Sequence, residues 1–347
     1  MSEIRGVRKL SRKVPHDVQN LLDGISRKKI GDEFVYFYIK NGKEVMAKDI
    51  KRIQKLRIPP AWTDVWISID PDSSIQAIGI DSKARKQYIY HAHHIEQAEK
   101  KKFDRLYHFI KAIPKLENIM ETHVSLGPYE KNRVIVTMLQ IVRALYIRVG
   151  KEQYAKQNNS YGISSLKKTH VRIDNDTVYF RFKGKSGKRL SYTLKDHEIS
   201  SHIKLLLKLG GPKLFQYISD AGNIVRVTDT DLNQYIQQYM GADFSAKDFR
   251  TYAANYFFIK SILQETKIRY PKNAQVIKTN ISNAIKRTIF YMKHTKAVSK
   301  KSYISNFAIE LYQNNPQLFV ENKDKDPNEF LLRLLKMYRE KVLHVKS

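Results

Sequence analysis

SAKDFRTYAANYFF (Ser245–Phe258) and KHTKAVSKKSYIS (Lys293–Ser305) bound the stretch whose reading decides this chain. Ser245 and Asp248 carry the S-x-x-D spacing of a capping box. That spacing predicts a helix opening beside them, with a core stripe of Phe249, Tyr252, Tyr256, Ile259 and Leu263. A second helical pattern fills Ala274–Lys293, with Ile277, Ile281, Ile285 and Ile289 at four-residue steps. Within and beyond these helices lie a fixed cation (Arg250), a titratable imidazole (His294) and a phenol (Tyr303). A phenol among cations points to an oxyanion nucleophile aimed at a phosphate.

The charge of the whole chain agrees. Of 347 residues, 63 are Lys or Arg and 34 are Asp or Glu, a net +29 spread along the full length. That excess predicts a polyanionic partner, nucleic acid before an anionic membrane. No lipidation signal or apolar run of ~18 residues is present, and MSEIRGVRKLSRK is too charged for a secretory signal. The absence of cysteine excludes disulfides and thiolate zinc sites and fits a reducing, intracellular compartment. A hydrophobic content of 42% is ample for real cores. The length suggests two domains.

The remaining patterns divide the chain near residue 92. Upstream, DEFVYFYIKNGKEV (Asp32–Val45) predicts a β-hairpin whose Asn41-Gly42 turn supplies positive φ angles. A short helix with Ile50, Ile53 and Leu56 stops at Pro59-Pro60. Strands follow around Trp66–Ile69, at Ile75–Ile80 and at Lys86–His91. Downstream the period becomes helical: IEQAEKKKFDRLYHFIKAI, then Tyr129–Gly150 with Gly150 as C-cap. Thr169–Leu194 interrupts as a three-stranded meander with a tight tip at Gly184-Lys185-Ser186-Gly187. A helix over Thr228–Met240 follows, and the last runs Pro327–Val345 with Asp326 as its cap. The expected fold class is α+β, with a small β-rich N-terminal domain (1–92) and a mainly α catalytic domain (93–347) carrying the β insertion.

These boxes resemble the type IB DNA topoisomerases of poxviruses, giant viruses and bacteria over most of the chain. LRIPPAWTDVWI (Leu56–Ile67) and DSKARKQYIYHAHH (Asp81–His94) resemble that family's N-terminal β domain. Leu145–Val171 is similar to its first catalytic box, FKGKSGK (Phe182–Lys188) to its lysine hairpin, KDFRTY (Lys247–Tyr252) to its second arginine box, and KHTKAVSKKSYI (Lys293–Ile304) to its histidine–tyrosine end. One departure is Ala84, where the family leads one to expect glycine.

Cleaving a phosphodiester by tyrosine attack needs an activated phenol, charge stabilisation on the pentacoordinate phosphorane and a proton for the departing alkoxide. The resemblance assigns Tyr303 as nucleophile, Arg148, Arg250 and His294 to the phosphate, and Lys185 as general acid. Taken singly, Arg148 reads first as an arginine complementing a helix C-terminal dipole. The resemblance also implies duplex contacts: Lys83, Arg85 and Lys86 clamping the backbone, Tyr88, Tyr90 and His91 on a strand in the major groove, and Lys247 on a phosphate. It implies no metal and no cofactor; His91, His93, His94 and Glu96 lack a paired distant motif, and no Gly-x₄-Gly-Lys loop offers ATP a cradle. The expected protein is a monomeric clamp on duplex DNA, with no obligate protein partner and no membrane attachment. The other readings are a tyrosine recombinase and a non-catalytic duplex-binding protein.

Overall fold

The computed structural model describes residues 23–293 and 303–344. The chain folds as two compact units, 1–102 and 103–347, and its class is α+β.

In the first unit, strands β1 (Gly24–Ile30), β2 (Glu33–Tyr38), β3 (Thr63–Ser68), β4 (Ile75–Ile80) and β5 (Lys86–Tyr90) form one antiparallel sheet in the order β2-β1-β3-β4-β5. Strand alternation sorts its side chains between two faces. Ile25, Ile67 and Ala77 pack on one face with Val45, Val65 and Ile53 of helix α1 (Ala47–Lys55). Trp66, Ile75 and Ile78 form a second cluster with Tyr88. The guanidinium of Arg27 donates to the carbonyls of Ile58, Pro59 and Trp62 at 3.1, 3.0 and 2.8 Å, fixing the IPPAW segment beside the sheet.

The hairpin expectation needs correcting. The main partner of β2 is β1, joined through Gly31-Asp32, with Ile25 opposite Tyr38 and Ile30 opposite Glu33. The Asn41-Gly42 turn does return the chain, Val45 N–H reaching the Tyr36 carbonyl at 3.0 Å, but only Gly42 has positive φ.

The second unit is mainly helical. Helix α2 (Ala92–Val124) contributes Phe103, Leu106, Phe109 and Leu116 to its core, against α3 (Lys131–Leu145), whose Val134, Val136, Leu139 and Ile141 are fully buried. After α4 (Glu152–Asn158) comes the antiparallel meander β6 (Val171–Asp174), β7 (Thr177–Lys183) and β8 (Arg189–Lys195). Then follow α5 (His197–Lys208), the two-stranded β9 (Gln216–Ile218) and β10 (Ile224–Arg226), and α6 (Asp229–Met240). Helices α7 (Ala246–Ile268) and α8 (Ala274–Met292) pack together, and α9 (Asn306–Asn314), α10 (Gln317–Glu321) and α11 (Pro327–His344) complete the unit. Asp326 caps α11, accepting from the N–H groups of Asn328 and Glu329 at 2.9 and 3.1 Å. Phe330, Leu331, Leu334 and Leu335 bury its apolar stripe.

Candidate active site

Helix α7 begins with the predicted capping box: Ser245 N–H and Oγ–H both donate to Asp248 Oδ2, at 2.8 and 2.9 Å. Arg105 of α2 grips the same carboxylate at 3.0 and 2.6 Å. The start of α7 is thus fixed from within and from a neighbouring helix. Arg250 follows one turn in and is only 3% exposed. A cation near a helix N-terminus is disfavoured by the dipole, and burying it costs more. Burial, with repulsion from Arg148, pushes the Arg250 guanidinium down to about 10. A buried guanidinium repelled by a second, half-buried one makes a site suited to an anion.

The guanidinium carbon of Arg250 lies 6.0 Å from the Tyr303 ring centre, and the charges of the two side chains act on one another. The backbone under that phenol is held as well. Asn255, 1% exposed on α7, donates its amide N–H to the Tyr303 carbonyl at 2.9 Å and accepts from Ser305 N–H at 2.9 Å. The Tyr303 ring packs with Ala253, Ala254 and Met292. Two alanines on α7 leave room for the tyrosine to come close.

Arg148 sits elsewhere than expected. Helix α3 stops at Leu145, and Tyr146 takes a left-handed conformation (φ 51°, ψ 35°). Arg148 is therefore past the helix end, and Gly150 is no C-cap. The segment is built into the fold instead: the carbonyls of Arg148 and Val149 accept from Ile163 and Ser164 N–H, each at 2.9 Å. Gly150 (φ 76°) lies so close to Gly162 that a Cβ on Gly162 would fall 2.4 Å from the Arg148 carbonyl. A side chain there would displace Arg148 directly. Glu152 of α4 adds an ion pair to Lys213 and Arg226, at 2.7 Å to each.

Lys185 is exposed at the β7–β8 tip, followed by Ser186 at φ 64°. Down β8 from that tip, Tyr192 is 6% exposed and stacked on Phe182. Burial pushes its phenol up, and the charges of Arg250 and Arg148 oppose the shift. Tyr192 therefore lies in the field of both arginines, and its strand connects them with the lysine tip.

A family model for the catalytic core of eukaryotic DNA topoisomerase I matches residues 83–325. The chain belongs to the type IB DNA topoisomerases. A second model, for the N-terminal domain of bacterial DNA topoisomerase IB, matches residues 33–81. The chain is 57% identical to DNA topoisomerase 1B of Acanthamoeba polyphaga mimivirus over 332 residues, covering 94% of this chain and 99% of the relative. It is 26% identical to DNA topoisomerase 1B of Vaccinia virus (strain Western Reserve) over 281 residues, 78% of this chain and 84% of that one. It is thus an isomerase of type IB, and DNA is the substrate its family implies.

Of the residues expected to do the chemistry in this topoisomerase, the structure brings Arg148, Arg250 and Tyr303 together, and places Lys185 on the tip described above. His294 lies outside the described residues. Lys247 is exposed in the first turn of α7. In the first unit, Lys86, Tyr88 and Tyr90 alternate along the edge strand β5; Tyr88 stacks on Tyr90, and Tyr90 on His94. His91 accepts from His93 N–H through its ring nitrogen at 3.2 Å. Lys83 and Arg85 are exposed in the turn before β5, where Arg85 is ion-paired with Asp81 at 2.7 Å. That carboxylate is held at about 2, first by its hydrogen bond from Arg85.

Among the described residues no helix is long and apolar enough to cross a membrane, and no group of three or more His, Cys, Asp or Glu is placed to hold a metal. Sequence reasoning missed Asn255, Arg105 and Tyr192. Asn255 left one signal, a poor helix former inside a long helix, directly after two alanines.

Proposed function

We propose that this topoisomerase relaxes supercoils of either sign through a covalent phosphotyrosine intermediate, with Tyr303 as nucleophile. The observation that carries the reading is buried Arg250 set beside the Tyr303 ring, its guanidinium carbon 6.0 Å from the ring centre, with the charge of Arg148 next to it. A guanidinium beside the nucleophile's ring before reaction can meet the non-bridging phosphate oxygens during it.

The Tyr303 phenol gives up its proton to solvent as its oxygen attacks a backbone phosphorus. The bond from phosphorus to the 5′ oxygen breaks, and that oxygen leaves with a proton from Lys185. The product is a 3′-phosphotyrosyl ester and a free 5′ hydroxyl. Arg148, Arg250 and His294 neutralise charge on the pentacoordinate phosphorane, each positioned donor contributing ~10²–10³ in rate. The broken strand rotates about the intact one, and the 5′ hydroxyl then reverses the exchange. One phosphoester replaces another at each step, so the bond energy is conserved and neither ATP nor a metal is needed. Residues 1–92 and 93–347 act as two domains that each contact one duplex, through Lys83, Arg85, Lys86, Tyr88, Tyr90 and His91 in the first and Lys247 in the second. The chain works as a monomer in an intracellular, DNA-associated setting.

The test is relaxation of a supercoiled plasmid in EDTA without ATP, with detergent trapping of any protein–DNA adduct. Wild type is expected to relax the plasmid and to be trapped at the 3′ end of the nick; Tyr303→Phe should do neither. Equal relaxation by Tyr303→Phe would move the nucleophile to another tyrosine. DNA binding without relaxation by either protein would leave the recombinase and the non-catalytic readings.

A further inference from the structure

Helix α8 ends beside the lysine hairpin, and one side chain joins the two. Lys293, the residue after the end of α8, adopts a left-handed conformation (φ 49°, ψ 41°), with its N–H reaching the Phe290 carbonyl at 3.3 Å. That bend sends its side chain to β8. The ammonium sits 3.9 Å from the centre of the Tyr192 ring and donates to the Ser191 carbonyl. It thus holds a π face and a backbone carbonyl on neighbouring residues of the strand that descends from the Lys185 tip. Met292, one residue earlier, is 2% exposed in the cluster that contains Tyr303, Ala253 and Ala254. Two consecutive residues at the end of α8 therefore contact the two elements that carry the chemistry: Met292 the nucleophile's surroundings, Lys293 the hairpin's return strand.

We infer that Lys293 is a positioning residue, a latch that sets the β7–β8 hairpin so that Lys185 meets the departing 5′ oxygen while Tyr303 attacks. This rests on the reading of Lys185 as general acid given above. The interaction is specific in chemistry. It needs a long cationic side chain at 293 and an aromatic ring at 192, but no hydroxyl on that ring. Lys293 itself touches no reacting atom in this scheme. A lysine tip displaced by about 1 Å would lose proton transfer by about tenfold to a hundredfold while nucleophilic attack kept its geometry.

The test uses the full-length protein and a duplex carrying one mapped cleavage site, in two forms: the ordinary 5′ bridging oxygen, or sulfur in its place. A departing thiolate is a weak base and leaves without a proton, so the sulfur substrate bypasses the general acid. The rate of detergent-trapped adduct formation is read for wild type, Lys185→Ala, Lys293→Ala, Lys293→Arg, Tyr192→Phe and Tyr192→Leu, with DNA affinity and Tm measured beside it. On the oxygen duplex, Lys293→Ala and Tyr192→Leu are expected to be about tenfold to a hundredfold slow. Lys293→Arg and Tyr192→Phe should stay near wild type. On the sulfur duplex all are expected to match wild type, with DNA affinity unchanged throughout. Wild-type rates for Lys293→Ala on oxygen, or equal losses on both duplexes, would overturn the latch. Should Tyr192→Leu alone lose Tm, Lys293→Ala decides the matter, because its side chain lies outside the core. If Lys185→Ala itself cleaves the oxygen duplex at the wild-type rate, the general-acid reading fails and the latch falls with it. Failure of the latch alone looks different, with Lys185→Ala slow and Lys293→Ala fast.

Discussion

Asn255 holds Tyr303 by its backbone. One amide donates to the Tyr303 carbonyl and accepts from Ser305 N–H, both at 2.9 Å, across a gap of about fifty residues in the chain. The same amide donates to the Thr251 carbonyl at 2.8 Å, so its plane is fixed relative to α7. Because Arg250 lies on the same helix, Asn255 sets the distance between guanidinium and phenol.

Replacing Asn255 should therefore injure catalysis more than folding. Asn255→Ala leaves a buried carbonyl and a buried N–H without their partner, a cost of about 1–3 kcal/mol. Misplacement of the phenol is expected to slow adduct formation by about a hundredfold. Asn255→Asp keeps the acceptor for Ser305 but loses the donor to Tyr303, and should be nearly as slow. Trapped-adduct kinetics alongside urea unfolding check both; wild-type kinetics in a destabilised Asn255→Ala protein would reduce Asn255 to a purely structural role.

His202 gives the protein an acid-side weakness far from this chemistry. Its ring is 3% exposed, bonded at 2.6 Å to Thr137 Oγ and at 2.6 Å to the Pro128 carbonyl. Burial lowers it from 6.5 to about 4, with Arg133 repulsion adding to the shift. The unfolded chain takes up this proton near 6.5, the folded one only near 4, so the unfolded state binds more protons in between. Stability from this group is complete above 6.5 and is lost as the pH falls towards 4, by about 3 kcal/mol at most. Urea midpoints measured at pH 7.5 and 5 should differ for wild type and differ less for His202→Gln.

Much of the architecture was legible because periodicity and capping are local. Ser245 with Asp248, Asp326 with Pro327, and the apolar stripes of α7, α8 and α11 all lie where their spacing puts them. Strand β1 was not legible. GISRKKI is mostly polar, and it becomes a strand because β2 and β3 pair with it on either side, with Ile25 buried between them. The end of α3 is hidden for a related reason. Gly150 has the look of a C-cap, yet Tyr146 takes the left-handed position, and Gly150 is reserved for its approach to Gly162. In the candidate site, charged groups announce themselves by type. Asn255, Tyr192 and Lys293 act through partners far away in the chain, which no local pattern reveals.

Ala84 occupies a backbone conformation that suits glycine better. It has φ 55°, in a turn whose Asp81 carboxylate accepts from the N–H groups of Lys83 and Arg85 at 2.9 and 3.0 Å. A side chain in this conformation is strained, and glycine is not. Ala84→Gly is expected to raise stability by about 0.5–1 kcal/mol, read as a higher urea midpoint with an unchanged slope. A lower midpoint would mean that Asp81 alone holds the turn and that the extra freedom of glycine in the unfolded chain dominates.

Arg250 is where stability and function are expected to part. A guanidinium at 3% exposure, with Arg148 close enough to repel it, is costly in the free protein and gains most when an anion arrives. Arg250→Met keeps most of the volume and removes the charge. It should lower adduct formation by about 10²–10³ while Tm holds or rises. Arg250→Lys keeps the charge but loses the planar fork, and should recover little of the activity. The effect of DNA should also differ: saturating duplex is expected to raise the Tm of wild type more than that of Arg250→Met, because only the wild type gains a counter-charge for a buried cation. If Arg250→Met unfolds instead, the guanidinium is holding the fold together, and the site is organised around Arg148.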